Sequence, residues 1–243
     1  MKIIQPNWAV SSAIHAASTT RIGGQSQAPY NGLNLGAHVG DRVQDVTANR
    51  DLLSTELSLP NQPLWLNQIH SDIVLDLPST VDSVDADAVV THQKNQICLV
   101  MTADCLPVLL TDQKGIVVAA VHAGWRGLCD GILERTVEVM QVENHEIHAW
   151  LGPAISQQCF EVGEEVRQQF VAQHAESNAC FIASSNPGKW MADIYQLARI
   201  RLQSQGVIHI TGGDYCTFSD AEMFYSYRRD GVTGRMASLI WIE

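Results

Sequence analysis

The sequence has few lysines, no long apolar run and no excess of positive charge, and each shortage excludes a class of protein. Four lysines and eleven arginines are set against 26 acidic residues, so the chain of 243 residues carries a formal net charge of −11. Proteins that bind nucleic acid polymers carry basic patches that displace counterions from the phosphates, so this charge argues against such a partner. The longest apolar runs, near residues 97–101 and 116–123, are far too short to span a bilayer, so we expect no membrane partner.

Charged residues and paired-cysteine motifs are also scarce. Charged residues make up 17% of the chain, below the usual share of about a quarter, which is typical of an ordered globular protein. Six cysteines are scattered without a CxxC motif or a disulfide-framework spacing, and the first residues do not resemble a signal peptide. We therefore expect a cytoplasmic protein whose cysteines are free thiols.

The hydrophobic pattern predicts a group of strands followed by a group of helices. The predicted strands cover residues 63–67, 73–77, 88–91, 97–101, 107–111, 116–122, 147–151, 207–210, 223–227 and 236–242, and the predicted helices cover 46–58, 127–141, 161–173 and 191–205. This clustering favours the α+β class, and we treat residues 1–243 as a single domain. Residues 18–45 are rich in Gly, Asn, Ser and Pro and are predicted to form a long loop, which in a compact domain is often functional.

Residues 102–127, TADCLPVLLTDQKGIVVAAVHAGWRG, carry the most chemical information. Two predicted strands flank a turn from Asp112 to Gly115. If these two residues pair around a two-residue loop, Cys105 lies directly opposite His122, with both side chains on one face. A three-residue turn with a bulge at Gly115 would shift the register by one residue and separate the thiol from the imidazole. The sequence leaves both registers open.

Segments along nearly the whole chain resemble one protein family. TADCLPVLL at 102–110 and AVHAGWRG at 120–127 look like the signature of the multicopper-polyphenol-oxidase-type (laccase-domain) family, which is also described as the peptidoglycan editing factor and purine nucleoside phosphorylase family. Further matches, in the same order as in the family, are TRIGG at 20–24, LNLGAHVGD at 33–41, NQIH at 67–70, ADAVVT at 86–91, LGPAI at 151–155, FEVGEEV at 160–166 and FYSYRRDGVTGR at 224–235. The chain is identified as a member of that family.

The resemblance implies a metal site and a fold. The family holds a metal with two histidines and one cysteine, and the matching positions are His70, Cys105 and His122. Neutral imidazoles and a thiolate suit Zn2+, and three protein ligands leave a fourth position for water or substrate. Cu2+ binds such ligands more tightly, so it can also load in vitro. The implied fold is a four-layer α/β/β/α sandwich of mixed sheets flanked by helices, similar to that of cysteine hydrolases.

The resemblance also implies chemistry on purine nucleosides. The expected reactions are phosphorolysis of adenosine, inosine, guanosine and methylthioadenosine, and deamination of adenosine. Phosphorolysis needs a phosphate site, and the candidates are Arg21, Asn34, Arg50 and Arg126. Each can donate N–H bonds to phosphate oxygens, a role that matches the preference for arginine over lysine. We therefore expect a purine nucleoside and phosphate as partners, while the sequence leaves the oligomeric state open.

Three further residues could contact a purine substrate. Trp125 and Tyr225 could stack on the base, although aromatic residues near glycine turns are equally often packing anchors. His38 lies in the long predicted loop and could reach the same substrate.

Other interpretations remain open. A metal-independent hydrolase would use Cys105 as nucleophile and His122 as base on an amide or peptide bond of a cell-wall precursor, and it would not need His70. A copper oxidase is suggested by the two histidines and one cysteine and by Met101, but the sequence lacks the HxH pairs that an oxygen-reducing copper cluster needs. A non-enzymatic interaction module agrees less well with polar motifs that converge.

Overall fold

The computed structural model describes residues 1–78 and 84–243, and within them three β-sheets are accompanied by helices. The strands are β1 (Ile3–Ile4), β2 (Ile14–Thr19), β3 (Val74–Leu77), β4 (Ala88–Thr91), β5 (Cys98–Thr102), β6 (Leu106–Asp112), β7 (Val118–Ala123), β8 (Ile147–Leu151), β9 (Glu161–Gly163), β10 (Phe181–Ala183), β11 (Lys189–Ala192), β12 (His209–Gly212) and β13 (Met236–Ile242). The α-helices are α1 (Val43–Glu56), α2 (Trp125–Asp130), α3 (Ile132–Met140), α4 (Glu164–Gln173), α5 (Ile194–Ser204) and α6 (Tyr227–Asp230), and short 3₁₀ segments cover Asn144–Glu146, Gln157–Cys159 and Ala175–Cys180. None of these described helices is long and apolar enough to cross a membrane.

The largest sheet has the strand order β12-β8-β6-β7-β4-β3. Its central strands β8, β6, β7 and β4 are antiparallel to their neighbours in this group, whereas β12 runs parallel to β8 and β3 runs parallel to β4. A second sheet has the order β1-β2-β13-β5 and a small sheet has the order β10-β11-β9, both antiparallel. The predicted α+β class is confirmed.

Alternation of side chains along the strands gives each large sheet two apolar faces. Leu109 of the six-stranded sheet and Val100 of the four-stranded sheet belong to one core, so the two sheets lie face to face. The other face of the six-stranded sheet packs on helices, with Leu128 of α2 in that core. Leu53 of α1 packs on the far face of the four-stranded sheet beside Leu239. The likeness of these layers to cysteine hydrolases stays a prediction.

Several predicted elements occur where the sequence places them. The predicted strands 88–91, 147–151 and 236–242 coincide with β4, β8 and β13. The predicted helix over 127–141 is divided into α2 and α3, because Gly131 adopts a left-handed conformation with φ of 104° between them. Glycine has no Cβ and adopts this conformation without a steric penalty.

Two predicted strands are absent from the described residues. Residues 223–227 form a turn that leads into α6, and the hydroxyl of Ser226 caps that helix by accepting the N–H of Arg229. Of the predicted strand 63–67, the structure retains an isolated bridge between Asn67 and Asp85. The sequence pattern also misses β2 and the small sheet, because their strands are short or only half buried and show little alternation.

The hairpin of β6 and β7 differs in register from both expectations. Pro107 lies opposite His122, so the pairing is shifted by two residues from the one that places Cys105 there. The turn itself forms, since the N–H of Gly115 bonds to the carbonyl of Asp112. The Asp112 carboxylate also accepts the backbone N–H groups of Lys114, Ile116 and Val117. These bonds take the place of strand-to-strand hydrogen bonds next to the turn. A two-residue shift keeps side chains on the same face, so Cys105 lies diagonally across from His122.

Candidate active site

The side chains of His70, Cys105 and His122 meet at one end of the six-stranded sheet. A ring nitrogen of each histidine and the cysteine sulfur all lie within 4.8 Å of one another. The two imidazoles contact edge to face, with ring centroids 4.8 Å apart and planes inclined by 68°. His122 is buried, Cys105 is partly buried and His70 is exposed. The arrangement is a His/Cys/His group that can hold a metal and that solvent reaches from the side of His70.

The carboxylate of Asp87 positions both histidines. Asp87 is fully buried directly before β4, and its carbonyl accepts the backbone N–H of His122 on the neighbouring strand at 2.7 Å. Its Oδ1 accepts the Nδ1–H of the His122 ring at 2.7 Å, which leaves the other ring nitrogen for a metal. The same carboxylate accepts the backbone N–H groups of Ile69, His70 and Ser71, and also the Ser71 hydroxyl. One buried charge therefore joins the strand of His122 to the loop of His70.

The loop before β3 carries His70 in an uncommon conformation. His70 has φ of 59°, in the left-handed region that residues with a side chain rarely occupy. Gln68, two residues earlier, ties the same loop to β5. Its side-chain amide donates to the carbonyl of Met101 and accepts the N–H of Met101, both at 2.7 Å. The bonds to Asp87 and to Met101 on β5 hold the imidazole towards Cys105.

These contacts determine the charges of the site. Burial favours the neutral form of Asp87, but hydrogen bonds from His122 and Ser71 outweigh burial and lower the pKa of the carboxyl to about 2. Burial also opposes protonation of His122, yet its interactions with Cys105 and Asp87 outweigh burial and raise the pKa of the imidazole to about 9. The pKa of His70 is lowered, first by burial and then by His122. Near neutral pH, Asp87 is therefore an anion and His70 a neutral imidazole.

A second buried carboxylate, Asp104, holds the backbone that presents Cys105. Asp104 has φ of 89°, again left-handed, and is 8% exposed. Its Oδ1 accepts the hydroxyl of Thr217 at 2.6 Å, and its Oδ2 accepts the hydroxyl of Ser226 at 3.0 Å and the N–H of Arg228 at 2.6 Å. The turn before β6 is thereby joined to the start of α6.

Gly124, just before α2, leaves room for two of the three ligands. A Cβ at this position would lie 2.7 Å from His70 Nδ1 and 3.2 Å from Cys105 Sγ. Its φ of −62° and ψ of 153° are open to any residue, so space and not backbone conformation requires glycine here.

Two cavities open beside Cys105. The first has a volume of about 170 Å³ and has a largely apolar lining that includes Trp125, Ile155, Phe160 and Ile194, with Arg228 at its edge. The second has a volume of about 380 Å³ and a polar lining that includes His38, Gln68, His70, His122 and Arg235. Cys105, Ala103 and Tyr227 line both cavities. A ligand with an apolar part and an anionic part could therefore extend across Cys105.

Arg235 and His38 define the charge of the polar cavity. The guanidinium of Arg235 donates to the carbonyls of Thr233 and Gly234, and burial lowers its pKa. The pKa of His38 is lowered by burial and then by the charges of Arg235 and Arg50. The guanidinium of Arg235 favours an anionic ligand in this cavity.

Comparisons with known proteins place this fold and site in one family. The family model described as multi-copper polyphenol oxidoreductase laccase matches residues 15–243. Proteins named purine nucleoside phosphorylase from Haemophilus influenzae and Escherichia coli are 50% and 51% identical to this chain, with 100% and 99% of each chain covered. A crystal structure of a Neisseria meningitidis protein is 45% identical and matches with a TM-score of 0.94 over 100% of both chains. The chain belongs to the multi-copper polyphenol oxidoreductase laccase family.

In this laccase-family chain, the residues present fit a metal ion. The donors are two imidazole nitrogens and one sulfur, a set that suits zinc or copper. The Nδ1–H of His122 is bonded to a carboxylate, as is usual for histidines that bind metals. The missing Cβ at Gly124 keeps the space beside His70 and Cys105 open.

Arg126 and Arg21, two of the residues predicted to bind phosphate, have different surroundings in the laccase-family fold. Arg126 is exposed in α2, its guanidinium lies 5.0 Å from the centre of the Trp125 ring, and its charge contributes to the lowered pKa of His70. Of the described residues that line the two cavities, Arg126 is not one. Arg21 donates to the carbonyls of Ala221 and Asn31. Its role in phosphate binding stays a prediction.

Arg50 and Asn34 support the loop between β2 and α1. The guanidinium of Arg50 donates twice to the carbonyl of Leu35 and lies 3.6 Å from the centre of the Trp65 ring. Asn34 is fully buried, and its Oδ1 accepts the backbone N–H of Arg235. Within the described part of the chain, Arg21, Asn34 and Arg50 are not among the residues that line the two cavities. Their direct contact with phosphate also stays a prediction.

Trp125 and Tyr225, the two aromatic residues that could stack on the base, have different surroundings. Trp125 lines the apolar cavity, whereas Tyr225 is fully buried and donates its hydroxyl to the carbonyls of Tyr30 and Asn31. Tyr225 is a packing anchor in this laccase-family fold, because its ring has no exposed face.

Sequence reasoning assigns no role to Asp87, Asp104 or Arg235, although all three organise the site. Asp87 and Arg235 lie inside segments that resemble the family, ADAVVT and FYSYRRDGVTGR. The sequence does show that Asp87 directly precedes the predicted strand 88–91. That its carboxylate reaches His122 follows only from the pairing of β4 with β7. That pairing is a property of the folded chain.

We expect Gly124→Ala to fold and to lose metal. The added methyl group would displace His70 or Cys105, while the backbone conformation tolerates alanine. Metal content by mass spectrometry of purified protein should fall well below that of the wild type, with an unchanged circular dichroism spectrum. Ser185→Ala, which changes an exposed side chain, is the control. Full metal content in Gly124→Ala would contradict this explanation of the glycine.

We expect Asp87→Asn to remove a stabilisation that depends on pH. The pKa of Asp87 is about 2 in the folded protein and about 3.9 in an unfolded chain, so the contribution, on the order of 2 to 3 kcal/mol, is fully present above roughly pH 4. It is lost as the pH falls through the folded pKa. Urea unfolding of both proteins between pH 7 and pH 2 should show a difference that shrinks below pH 4, and the exposed Asp51→Asn is the control. A difference that does not depend on pH would refute this assignment.

Proposed function

We propose that the chain is a purine nucleoside phosphorylase that uses Zn2+ held by His70, Cys105 and His122. One observation carries the proposal: three metal-binding side chains converge at the boundary of an apolar cavity and a polar cavity. The relatives from Haemophilus influenzae and Escherichia coli, whose names give this activity, support it.

We assign the purine to the apolar cavity and the phosphate to the polar one. Trp125 and Phe160 offer aromatic surface to the base. Arg235 offers N–H donors to the phosphate, and the charge of Arg126, whose guanidinium lies beside the Trp125 ring, adds to the positive potential of the site. The ribose then lies at Cys105, where a phosphate oxygen attacks C1′, the glycosidic C–N bond breaks and the departing base takes up a proton. Fixed donors orient the nucleophile and reduce the cost of bringing the reactants together.

A zinc ion at the three ligands would supply Lewis acidity, which polarises an oxygen or lowers the pKa of a bound water. The chain's own part is to hold the ligands in place. His122 would bind the ion through the ring nitrogen that does not bond to Asp87, and Asp87 keeps the ring oriented through Nδ1.

The proposal extends to the individual reactions that the resemblance implies. The substrates are adenosine, inosine, guanosine and methylthioadenosine, with deamination of adenosine as a second reaction. Deamination replaces the exocyclic amine with an oxygen from water and consumes no phosphate. Asn34 and Arg50 contribute indirectly, since Asn34 accepts the N–H of Arg235 and Arg50 lowers the pKa of His38.

One contact favours a second candidate, a hydrolase that acts on an amide bond of a peptidoglycan precursor. The His122 ring lies between Cys105 and Asp87, in the order nucleophile, base and carboxylate. Such a reaction needs neither a metal nor His70. Copper-dependent oxidation of phenols is a third candidate, favoured by the donor set and by the description of the family.

We expect His70→Ala to separate the first two candidates. A zinc enzyme loses a ligand, so bound zinc and phosphorolysis of inosine should fall together, the rate by about a hundredfold or more. A hydrolase that relies on Cys105 and His122 would keep its activity. Zinc content, free base released from inosine with phosphate, and cleavage of a peptidoglycan precursor are measured on the same preparations, with the exposed His92→Ala as control. Full phosphorolysis in His70→Ala without zinc would exclude the proposed metal role.

We expect Arg235→Ala to raise the KM for phosphate at least about tenfold and the KM for inosine little, because a charged hydrogen bond to the anion is lost. Arg235→Lys should recover only part of the loss, since lysine lacks the planar pair of donors. Arg42→Ala, an exposed arginine on the surface, is the matched control. A similar rise in both KM values would contradict the assignment of phosphate to the polar cavity.

A further inference from the structure

Two other cysteines form a group outside the candidate metal site. Cys159 ends a 3₁₀ segment and Cys216 lies in the loop after β12, and both are partly exposed free thiols. Each sulfur lies 3.3 Å from the hydroxyl oxygen of Ser219, so the two sulfurs are at most twice that distance apart. Cys216 also lines an open cavity of about 480 Å³ that small solutes can enter.

The hydrogen bonds give the two thiols different roles. The N–H of Ser156 donates to Cys216 Sγ at 3.5 Å, and the hydroxyl of Ser219 donates to the same sulfur. With its proton directed at Cys216, the Ser219 oxygen accepts the S–H of Cys159. Partial burial opposes ionisation of Cys216, but these bonds from Ser156 and Ser219 outweigh it and lower the pKa of the thiol to about 7. Cys216 is therefore the nucleophile, and Cys159 is the neighbouring thiol that can close a disulfide with it.

We propose that Cys159 and Cys216 form a thiol pair that reacts with hydroperoxides and closes a reversible disulfide. The Cys216 thiolate attacks one peroxide oxygen, the O–O bond breaks, and the other oxygen leaves with a proton as water or an alcohol. Cys159 then attacks the sulfur of the resulting sulfenic acid, the S–S bond forms, and the hydroxyl leaves with the Cys159 proton as water. The hydroperoxide gains two electrons, and the two thiols lose them.

The pair lies behind the wall of the apolar cavity. Cys159 precedes Phe160, which lines that cavity, and Cys216 precedes Thr217, which bonds to Asp104. Formation of an S–S bond of about 2.05 Å requires these segments to move together. The consequence for the enzyme rests on the proposed function: oxidation should raise the KM for inosine several-fold in the wild type and leave it unchanged in Cys159→Ser.

The thiol chemistry is tested on metal-loaded protein without any measurement of activity. After treatment with hydrogen peroxide and alkylation of free thiols, peptide mass spectrometry should find the Cys159–Cys216 cross-link, and dithiothreitol should remove it. Cys159→Ser should retain a Cys216 sulfenic acid that dimedone traps, and Cys216→Ser should give no dimedone adduct at Cys159. Ser219→Ala should slow the reaction about fivefold to tenfold, because the thiolate loses a donor. Cys180→Ser, which removes a buried thiol, should react like the wild type.

Absence of the cross-link in oxidised wild type would overturn the thiol pair, and so would an unchanged reaction rate in Ser219→Ala together with equal labelling of Cys159 and Cys216. A cross-link with an unchanged KM would overturn the regulatory consequence alone. Loss of phosphorolysis in every preparation, with the cross-link intact, would count against the proposed function and leave the thiol pair supported.

Discussion

The buried carboxylate of Asp87 is the constraint on which the candidate site depends. A buried anion without partners would cost several kcal/mol, so its hydrogen-bond donors must stay in place. Those donors are the ring of His122 on β7 and three successive N–H groups of the loop that carries His70. Because one charge requires both segments at once, two histidines far apart in the sequence present their rings to the same point. The left-handed backbone of His70 is maintained by these bonds.

Asp104 has the corresponding role on the other side of the site. It holds the turn before Cys105 and joins it to α6, to the Thr217 loop and, through its carbonyl, to the N–H of Ile155. The loop of His70, the strand of His122, the start of α6 and the backbone of Ile155, which all line the two cavities, are therefore connected to one of two buried aspartates. Both carboxylates lie just outside the ends of central strands, where the sheet supplies rigidity and the loops supply side chains. This division explains why the ligands can be positioned accurately while the cavity remains open.

Positive side chains surround the site although the chain as a whole is negatively charged. The net charge is −11, yet Arg126, Arg228 and Arg235 are placed at or next to the cavities. Arginine can hold an anion through paired donors even in an acidic protein, because its effect is local and salt screens the more distant charges. Cys159 and Cys216 lie in segments that lead to the same cavity wall, so the proposed thiol chemistry and the proposed substrate site share one set of loops.

The sequence by itself determined the α+β class and several central strands, because these follow from local patterns of residue type and periodicity. The resemblance of its segments to one family pointed to His70, Cys105 and His122, which the structure brings within 4.8 Å of one another. The sequence left two hairpin registers open for Cys105 and His122, and the structure has neither: the pairing is shifted by two residues from the first, and the Asp112 carboxylate binds backbone N–H groups next to the turn. The tertiary structure decided the roles of Asp87, Asp104 and Arg235 and the meeting of Cys159 with Cys216. Each of these depends on contacts between segments far apart in the chain, and only the packed sheets and loops bring those segments within hydrogen-bond distance.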